Sequence, residues 1–331
     1  MQEFNKNLLA LKAANLYYVR GDTMAVIAQG MGLSRSTISR LLRYARDTEM
    51  VKITLNLPTW DADALSRAIR SEFGIAVHVV PVVANATELE RLELVARKAV
   101  RTLNSIYGAN MTLGIAWGTT IAAVARHLNY KATAGAQIVQ LNGAANPGTT
   151  GLQYAADIIE RFGQAYNASV QPFPVPAFFD YAATRDAMWK ERSIRRILAM
   201  QRNADVSLFS LGAVAGGIPS HVYSAGYLDQ RDFHTLKAEN VVGDISTVFI
   251  RANGTSQGIS LNDRASGLPP EELRHVGRRI CVVSGHNKLP AIQAALRARL
   301  VTDLIIDEST ATKLVTPAAY SQAAERLVGE P

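Results

Sequence analysis

The sequence predicts an α/β chain in two parts. Residues 1–57 read as a winged helix-turn-helix domain, and residues 58–331 as a doubly wound parallel sheet covered by helices. Three observations carry this expectation. Residues 23–47 combine helical apolar spacing, a glycine turn and a basic outer face. From residue 58 onward, short Val/Ile-rich runs alternate with amphipathic helical stretches. The loops closing those runs carry Gly, Thr, Asn and Lys where helices should begin.

The first helix is expected over residues 5–20, with Leu8, Leu9, Leu11, Leu16, Tyr17 and Val19 at helical spacing and Gly21 ending it. Met24, Val26, Ile27 and Met31 give the next helix an apolar side. Gly30 and Gly32 bracket a turn, and Leu33 is expected as a buried hinge residue. Ser34 suits a helix N-cap, because its hydroxyl accepts an otherwise unpaired backbone N–H. In the helix that follows, Ile38, Leu41, Leu42 and Ala45 face inward. Ser34, Arg35, Ser36, Thr37, Ser39, Arg40, Arg43 and Arg46 are left on or near the outside. Such a face fits a DNA major groove, where Arg reads guanine edges and hydroxyls reach phosphates or bases. Residues 50–56 alternate apolar and polar like a half-buried strand, in the position of a wing, with Lys52 placed for a phosphate. Leu57-Pro58-Thr59 then breaks the chain, placing the domain boundary near residues 56–60.

Charge supports this division. The chain carries +7, and residues 1–58 hold eight Lys and Arg against four Asp and Glu, so more than half of the excess sits in under a fifth of the chain. That concentration favours a polyanionic partner. With 48% hydrophobic and 19% charged residues, the composition is globular and excludes a disordered chain. The single cysteine, Cys281, rules out an internal disulfide framework. Together with an N-terminus unlike a signal peptide, it suits a cytoplasmic protein. No stretch of about 18 apolar residues occurs, so no membrane span is expected.

In the second part, helices are expected at 61–73, 88–107, 121–128, 151–162, 185–201 and 289–299, with a short one from Ser309. Strands are expected at 77–83, 111–116, 137–141, 168–175, 206–211, 280–284 and 303–306. Ligands of such sheets sit at the carboxyl ends of the strands. There, Gly118-Thr119-Thr120 offers a close backbone approach, two hydroxyls and a helix N-terminus, a combination suited to phosphate. Ser284-Gly285-His286-Asn287-Lys288 places a cation in the first turn of a helix, where it opposes the helix dipole unless it meets an anion. Asn142-Gly143 and Gly243-Asp244 add groups for sugar hydroxyls, although each also reads as a turn or cap. The six histidines show no metal-ligand spacing, and no Walker loop or G-x-S-x-G elbow occurs, so neither metal nor cofactor is expected.

These strings resemble the SorC/DeoR-type family of sugar-responsive bacterial transcription regulators, end to end. LSRSTISRLLRYARDTEMVKI looks like the family's DNA-binding module. GIAWGTTI, IVQLNGA, ADVSLFSLGAV, VVGDI, VVSGHNK and TDLIIDESTA look like successive signatures of its effector domain. The resemblance implies a Rossmann-like effector domain related to the ribose-5-phosphate isomerase and glucosamine-6-phosphate deaminase folds. It also implies a phosphorylated sugar or related effector, assembly as dimers or tetramers, and binding to palindromic operators. By match, Gly118, Thr119 and Thr120 would contact phosphate, Lys288 would add charge, and Asn142, Gly143 and Asp244 would face the sugar. Some members carry a lysine at the Asn142 position that forms a Schiff base. Asparagine cannot, so non-covalent binding is expected here, and the effector's identity stays open. Bulky Trp117 beside the phosphate loop keeps an unphosphorylated polyol in view. The expected function is therefore a regulator of a carbohydrate-utilisation operon whose operator affinity is changed by its effector. The alternative is a sugar-phosphate isomerase or deaminase with an appended DNA-binding module. It is disfavoured because the Leu211–Gly217 loop has no acid and the Asn142 loop no lysine.

Overall fold

A computed structural model describes residues 2–48, 50–51, 60–83, 85–148, 151–213, 218 and 220–315. The chain divides into two compact units, Met1–Leu57 and Pro58–Pro331.

The first unit is helical where described. Helix α1 (Gln2–Ala14) runs into a π-helical stretch, Asn15–Val19, and Gly21 turns the chain at φ +76°. Helix α2 (Met24–Met31) begins at Thr23, whose hydroxyl accepts from Val26 N–H. It ends at Gly32, which is left-handed at φ +64°, a conformation that glycine adopts without Cβ strain. Ser34 then caps helix α3 (Arg35–Asp47), accepting from Thr37 N–H at 3.1 Å. Ala10, Ala13 and Ala14 pack against Ile27, Ala28, Ile38, Leu41, Leu42 and Ala45.

This unit departs from the sequence expectation in where α1 and α2 are apolar. The alanines of α1 form the buried stripe, since small side chains let helices approach closely. Leu8 and Leu11 are more than half exposed, and Tyr17, Val19 and Val26 also face outward. Gly30 lies inside α2, and Leu33 is half-buried. Met50 and Val51 pack on this core as a bend, while residues 52–56 of the expected wing lie outside the described residues.

The second unit opens with helix α4 (Trp60–Phe73), strand β1 (Ala76–Val80) and helix α5 (Glu88–Ile106). Thr87 and Glu90 close a reciprocal capping box at the start of α5. Strand β2 (Thr112–Ile115), helix α6 (Thr119–Arg126), strand β3 (Gln137–Gln140), helix α7 (Gly151–Tyr166) and strand β4 (Ser169–Gln171) follow. The single helix expected at 185–201 is two, α8 (Ala182–Met188) and α9 (Arg192–Arg202). The strand expected at 206–211 also splits. Strand β5 (Val206–Phe209) stays in the large sheet, and β6 (Leu211–Gly212) leaves it. Helices α10 (His221–Ser224) and α11 (Gln230–Ala238) lead to a hairpin of β7 (Val241–Ile245) and β8 (Val248–Arg251). Gly243 and Asp244 thus lie within a strand, not in a turn or cap. Helix α12 (Pro270–Leu273), strand β9 (Arg278–Val283), helix α13 (Leu289–Arg297), strand β10 (Asp303–Asp307) and helix α14 (Glu308–Leu314) complete the unit.

Seven strands form one parallel sheet in the order β1-β10-β9-β5-β2-β3-β4, and β6-β7-β8 form a small antiparallel sheet. Alternate residues serve opposite faces. Ile280, Val282 and Ile305 join the core beneath α5, α6 and α7. Cys281, Val283, Leu304 and Ile306 join the core with α4, α13 and α14. Burial on both faces explains why β5 and β10 are buried at every position and mostly apolar, with Ser207, Asp303 and Asp307 the polar exceptions.

Candidate nucleic-acid interface and effector cavity

On the first unit, the buried side of α3 leaves Arg35, Ser36, Ser39, Arg40, Arg43 and Arg46 exposed. Among the described residues none of these arginines makes an ion pair, so their charges are free for an external anion. Ser34 and Thr37 are less free. Ser34 Oγ accepts the capping N–H and lies 2.8 Å from Thr37 Oγ1 and 2.9 Å from Ser36 Oγ, and Arg40 Nη2 donates to Thr37 Oγ1 at 3.4 Å. The surface is therefore an arginine row on a helix whose first turn is held by its own hydroxyls.

On the second unit, the carboxyl ends of β2, β3, β5 and β9, with β6 and β7, surround an open cavity. Gly118, Thr119, Thr120, Asn142, Asp244 and Lys288 all line it. Gly118 adopts φ +146° at the N-cap position of α6, where no side chain caps the helix. Thr119 hydrogen-bonds Tyr154, and Thr120 Oγ1 accepts from Ser210 Oγ at 3.1 Å. Gly143 sits behind the wall: a Cβ there would lie 2.3 Å from the Pro176 carbonyl oxygen, and its N–H donates to Ser266. Asn142 is 1% exposed. Its carbonyl accepts from Gln140 Nε2 and Trp117 Nε1, while its own Oδ1 has no partner among the described residues.

Lys288 ends a 3-10 turn, His286–Lys288, at the N-cap position of α13, one step before the helical turn expected from sequence. Gly285 N–H is spent on Asp307 and Thr310, so this loop presents Lys288 to a ligand and keeps that N–H. Desolvation pulls the Lys288 ammonium below its ordinary range, opposed by the Asp244 and Glu88 carboxylates. Burial pushes the Cys281 thiol up to about 12, so it is neutral. Asp244 is 4% exposed, and burial raises its carboxyl to about 6 against the pull of Tyr223, Thr247 N–H and Lys288.

Several lining residues carried no signal in the sequence. Glu88 comes from the first turn of α5. His221 comes from α10, stacked on Tyr154 at 4.1 Å and edge-on to Trp117, with burial lowering its pKa. Ser246 and Thr247 turn the β7-β8 hairpin with positive φ, which no Gly or Asn announces. The cavity thus holds a second carboxylate, Glu88, that the loop strings did not show. Among the described residues, no cluster of side chains suits a metal ion, and no helix is long and apolar enough to cross a membrane.

Residues 58–316 match a family profile described as a sugar-binding domain. The whole chain is 31% identical over 315 residues to the deoxyribonucleoside regulator of Bacillus subtilis (strain 168), covering 94% of this chain and 98% of that one. The chain belongs to the SorC/DeoR-type family of sugar-binding transcriptional regulators. A solved domain of "a possible sugar-binding transcriptional regulator" from Arthrobacter aurescens TC1 is 52% identical, with a TM-score of 0.72 over 76% of this chain and 95% of that one. The full-length sorbitol operon regulator SorC of Klebsiella pneumoniae shares the fold, at 23% identity and a TM-score of 0.68 over 94% of this chain and all of that one. Such kinship, not a lack of acids in the cavity, is what sets the chain apart from an isomerase or deaminase.

Proposed function

We propose that the chain is an effector-controlled regulator of a carbohydrate-utilisation operon: α3 reads operator DNA, and the cavity over the parallel sheet binds a sugar phosphate, sugar or polyol. The observation that carries this reading is the convergence of Gly118, Thr119, Thr120, Asn142, Asp244 and Lys288, from four separate loops and strands, on one cavity. The N–H groups opening α6 and the Lys288 ammonium supply the anion-binding side, and Asp244 and Asn142 supply acceptors for hydroxyls. With no amine at position 142, the effector is held non-covalently. The relatives named for deoxyribonucleoside and sorbitol control support this class of ligand.

In this reading Arg35, Ser36, Ser39, Arg40 and Arg43 meet the major groove, while Ser34 and Thr37 shape the first turn of α3. The protein acts in the cytoplasm as a dimer or tetramer, which presents two α3 helices to a palindromic operator. The effector prefers one quaternary arrangement and so changes operator affinity. Because Glu88 and Asp244 both face Lys288, an unphosphorylated polyol is a second reading. A thermal-shift screen against sugar phosphates, free sugars and polyols tests both, since a ligand binding only the folded state raises Tm. A shift with a phosphorylated compound that is lost in Lys288→Ala supports the first reading. A shift only with polyols supports the second, and no shift at all contradicts the cavity's assignment.

A further inference from the structure

Gly212 lies at a crowded point. A Cβ on it would fall 1.9 Å from Asp244 Oδ1 and 3.1 Å from Tyr223 Cε2, so the carboxylate and the edge of the tyrosine ring lie over the same Cα. Both end groups are buried, and the Tyr223 hydroxyl and Asp244 Oδ1 have no partner but each other among the described residues. The second carboxylate oxygen is engaged, accepting from Thr247 N–H at 3.1 Å. One orphan is an acceptor and the other a donor. A buried hydroxyl left unpaired is costly, which favours pairing of the two.

We propose that Tyr223 is a positioning residue for the cavity, donating to Asp244 Oδ1 so that helix α10 governs when the Asp244 carboxylate is ionised and able to accept from an effector hydroxyl. This rests on the cavity being the effector site, but its test uses no effector.

The charged and titratable groups around Asp244 are few. Tyr223 faces it from α10, Lys288 from the turn before α13, and Thr247 N–H from its own hairpin. Glu88 acts on Lys288 from α5. Burial holds Tyr223 well above its ordinary range, so its hydroxyl remains a donor throughout the accessible pH range. Burial likewise raises Asp244 to about 6, and the Tyr223 and Thr247 donors and the Lys288 charge limit that rise. Ionised Asp244 accepts from a sugar hydroxyl, whereas protonated Asp244 has its best acceptor oxygen turned into a donor. Effector uptake is therefore weakened as pH falls through this range. His221, on the same short helix as Tyr223, lines the cavity, so α10 carries both the donor to the carboxylate and part of the aromatic wall.

The test is the pH dependence of Tm for the full-length protein, its Tyr223→Phe variant and its Asp244→Asn variant between pH 4 and 8, without ligand. Asp244→Asn should remove a titration seen in the wild-type profile. Tyr223→Phe should keep that titration and move its midpoint to higher pH, because the ionised carboxylate has lost a donor. A Tyr223→Phe profile displaced by the same amount at every pH would mean that the ring only packs, and would overturn the proposal. So would an Asp244→Asn profile parallel to wild type. Either failure leaves the effector reading itself standing, to be judged by the ligand screen.

Discussion

Trp117 donates its indole N–H to the backbone carbonyl of Gly143 at 2.9 Å, tying the loop after β2 to the loop after β3. The same N–H reaches the Asn142 carbonyl at 3.2 Å, and the ring stacks on Tyr227. One cavity wall is therefore held by a tryptophan that also borders the ligand space. In a protein whose other two tryptophans, Trp60 and Trp189, are replaced by Phe, effector binding should change Trp117 emission. A ligand that shifts Tm yet leaves this emission untouched would place binding elsewhere.

Arg40 and Arg43 stand exposed on α3 without ion-pair partners among the described residues. Replacing either with Ala should weaken operator binding by about 1–3 kcal/mol, the worth of a good base or phosphate contact. Effector-induced Tm shifts should be unchanged. Fluorescence anisotropy at fixed salt measures the first effect, and equal affinity for both variants and wild type would remove α3 from the interface.

Asp244 makes stability depend on pH with a definite sign. Its folded pKa of about 6 exceeds the ordinary 3.8, so the folded chain holds a proton that the unfolded chain has released. The resulting stabilisation is complete below the unfolded value and is lost as pH rises through about 6. Asp244→Asn should therefore gain on wild type from pH 4 to 7, by about 1–3 kcal/mol for a two-unit shift. Chemical denaturation at fixed pH steps reads this directly.

Gly212→Ala should disturb the cavity more than any change of a lining side chain's charge. Its methyl group has no room beside Asp244 Oδ1, and the carboxylate must move. We expect loss of effector response together with about 1–3 kcal/mol of destabilisation, as for overpacking at a crowded site. A variant with wild-type response would show that Asp244 is not held as described.

Ile38 is fully buried at the centre of the first unit, so Ile38→Ala should cost about 2–5 kcal/mol there. Because the chain forms two compact units, calorimetry should show the smaller transition lowered and the larger one nearly unmoved. A single transition shifted as a whole would show that the two units unfold together.

Much of the architecture was legible in the sequence because parallel strands covered on both faces are mostly apolar, and the helices between them are periodic. Ser34 and Gly32 were legible as a cap and a turn because those geometries demand such residues. The burial side of α1 was not. Its leucines are exposed and its alanines buried, and helical spacing alone does not say which face a neighbour covers. Within the cavity, the loops after β2 and β9 announced themselves through Gly, Thr and Lys. Asp244 was legible as a sugar-facing carboxylate, but the strand that carries it was not. Glu88, His221 and Tyr223 were missed, because long-range packing brings them there and local pattern carries none of it.

The most direct test of the account is the affinity of the full-length protein for DNA from upstream of its own gene, against scrambled DNA of equal length. It is measured at one salt concentration with and without the compounds of the ligand screen. The account predicts a preference of about 100-fold or more for the upstream DNA. It also predicts that at least one carbohydrate changes that affinity by about tenfold, a typical coupling between sites, and that Lys288→Ala abolishes the change. Equal affinity for both DNAs, or upstream binding that no carbohydrate alters, would contradict it.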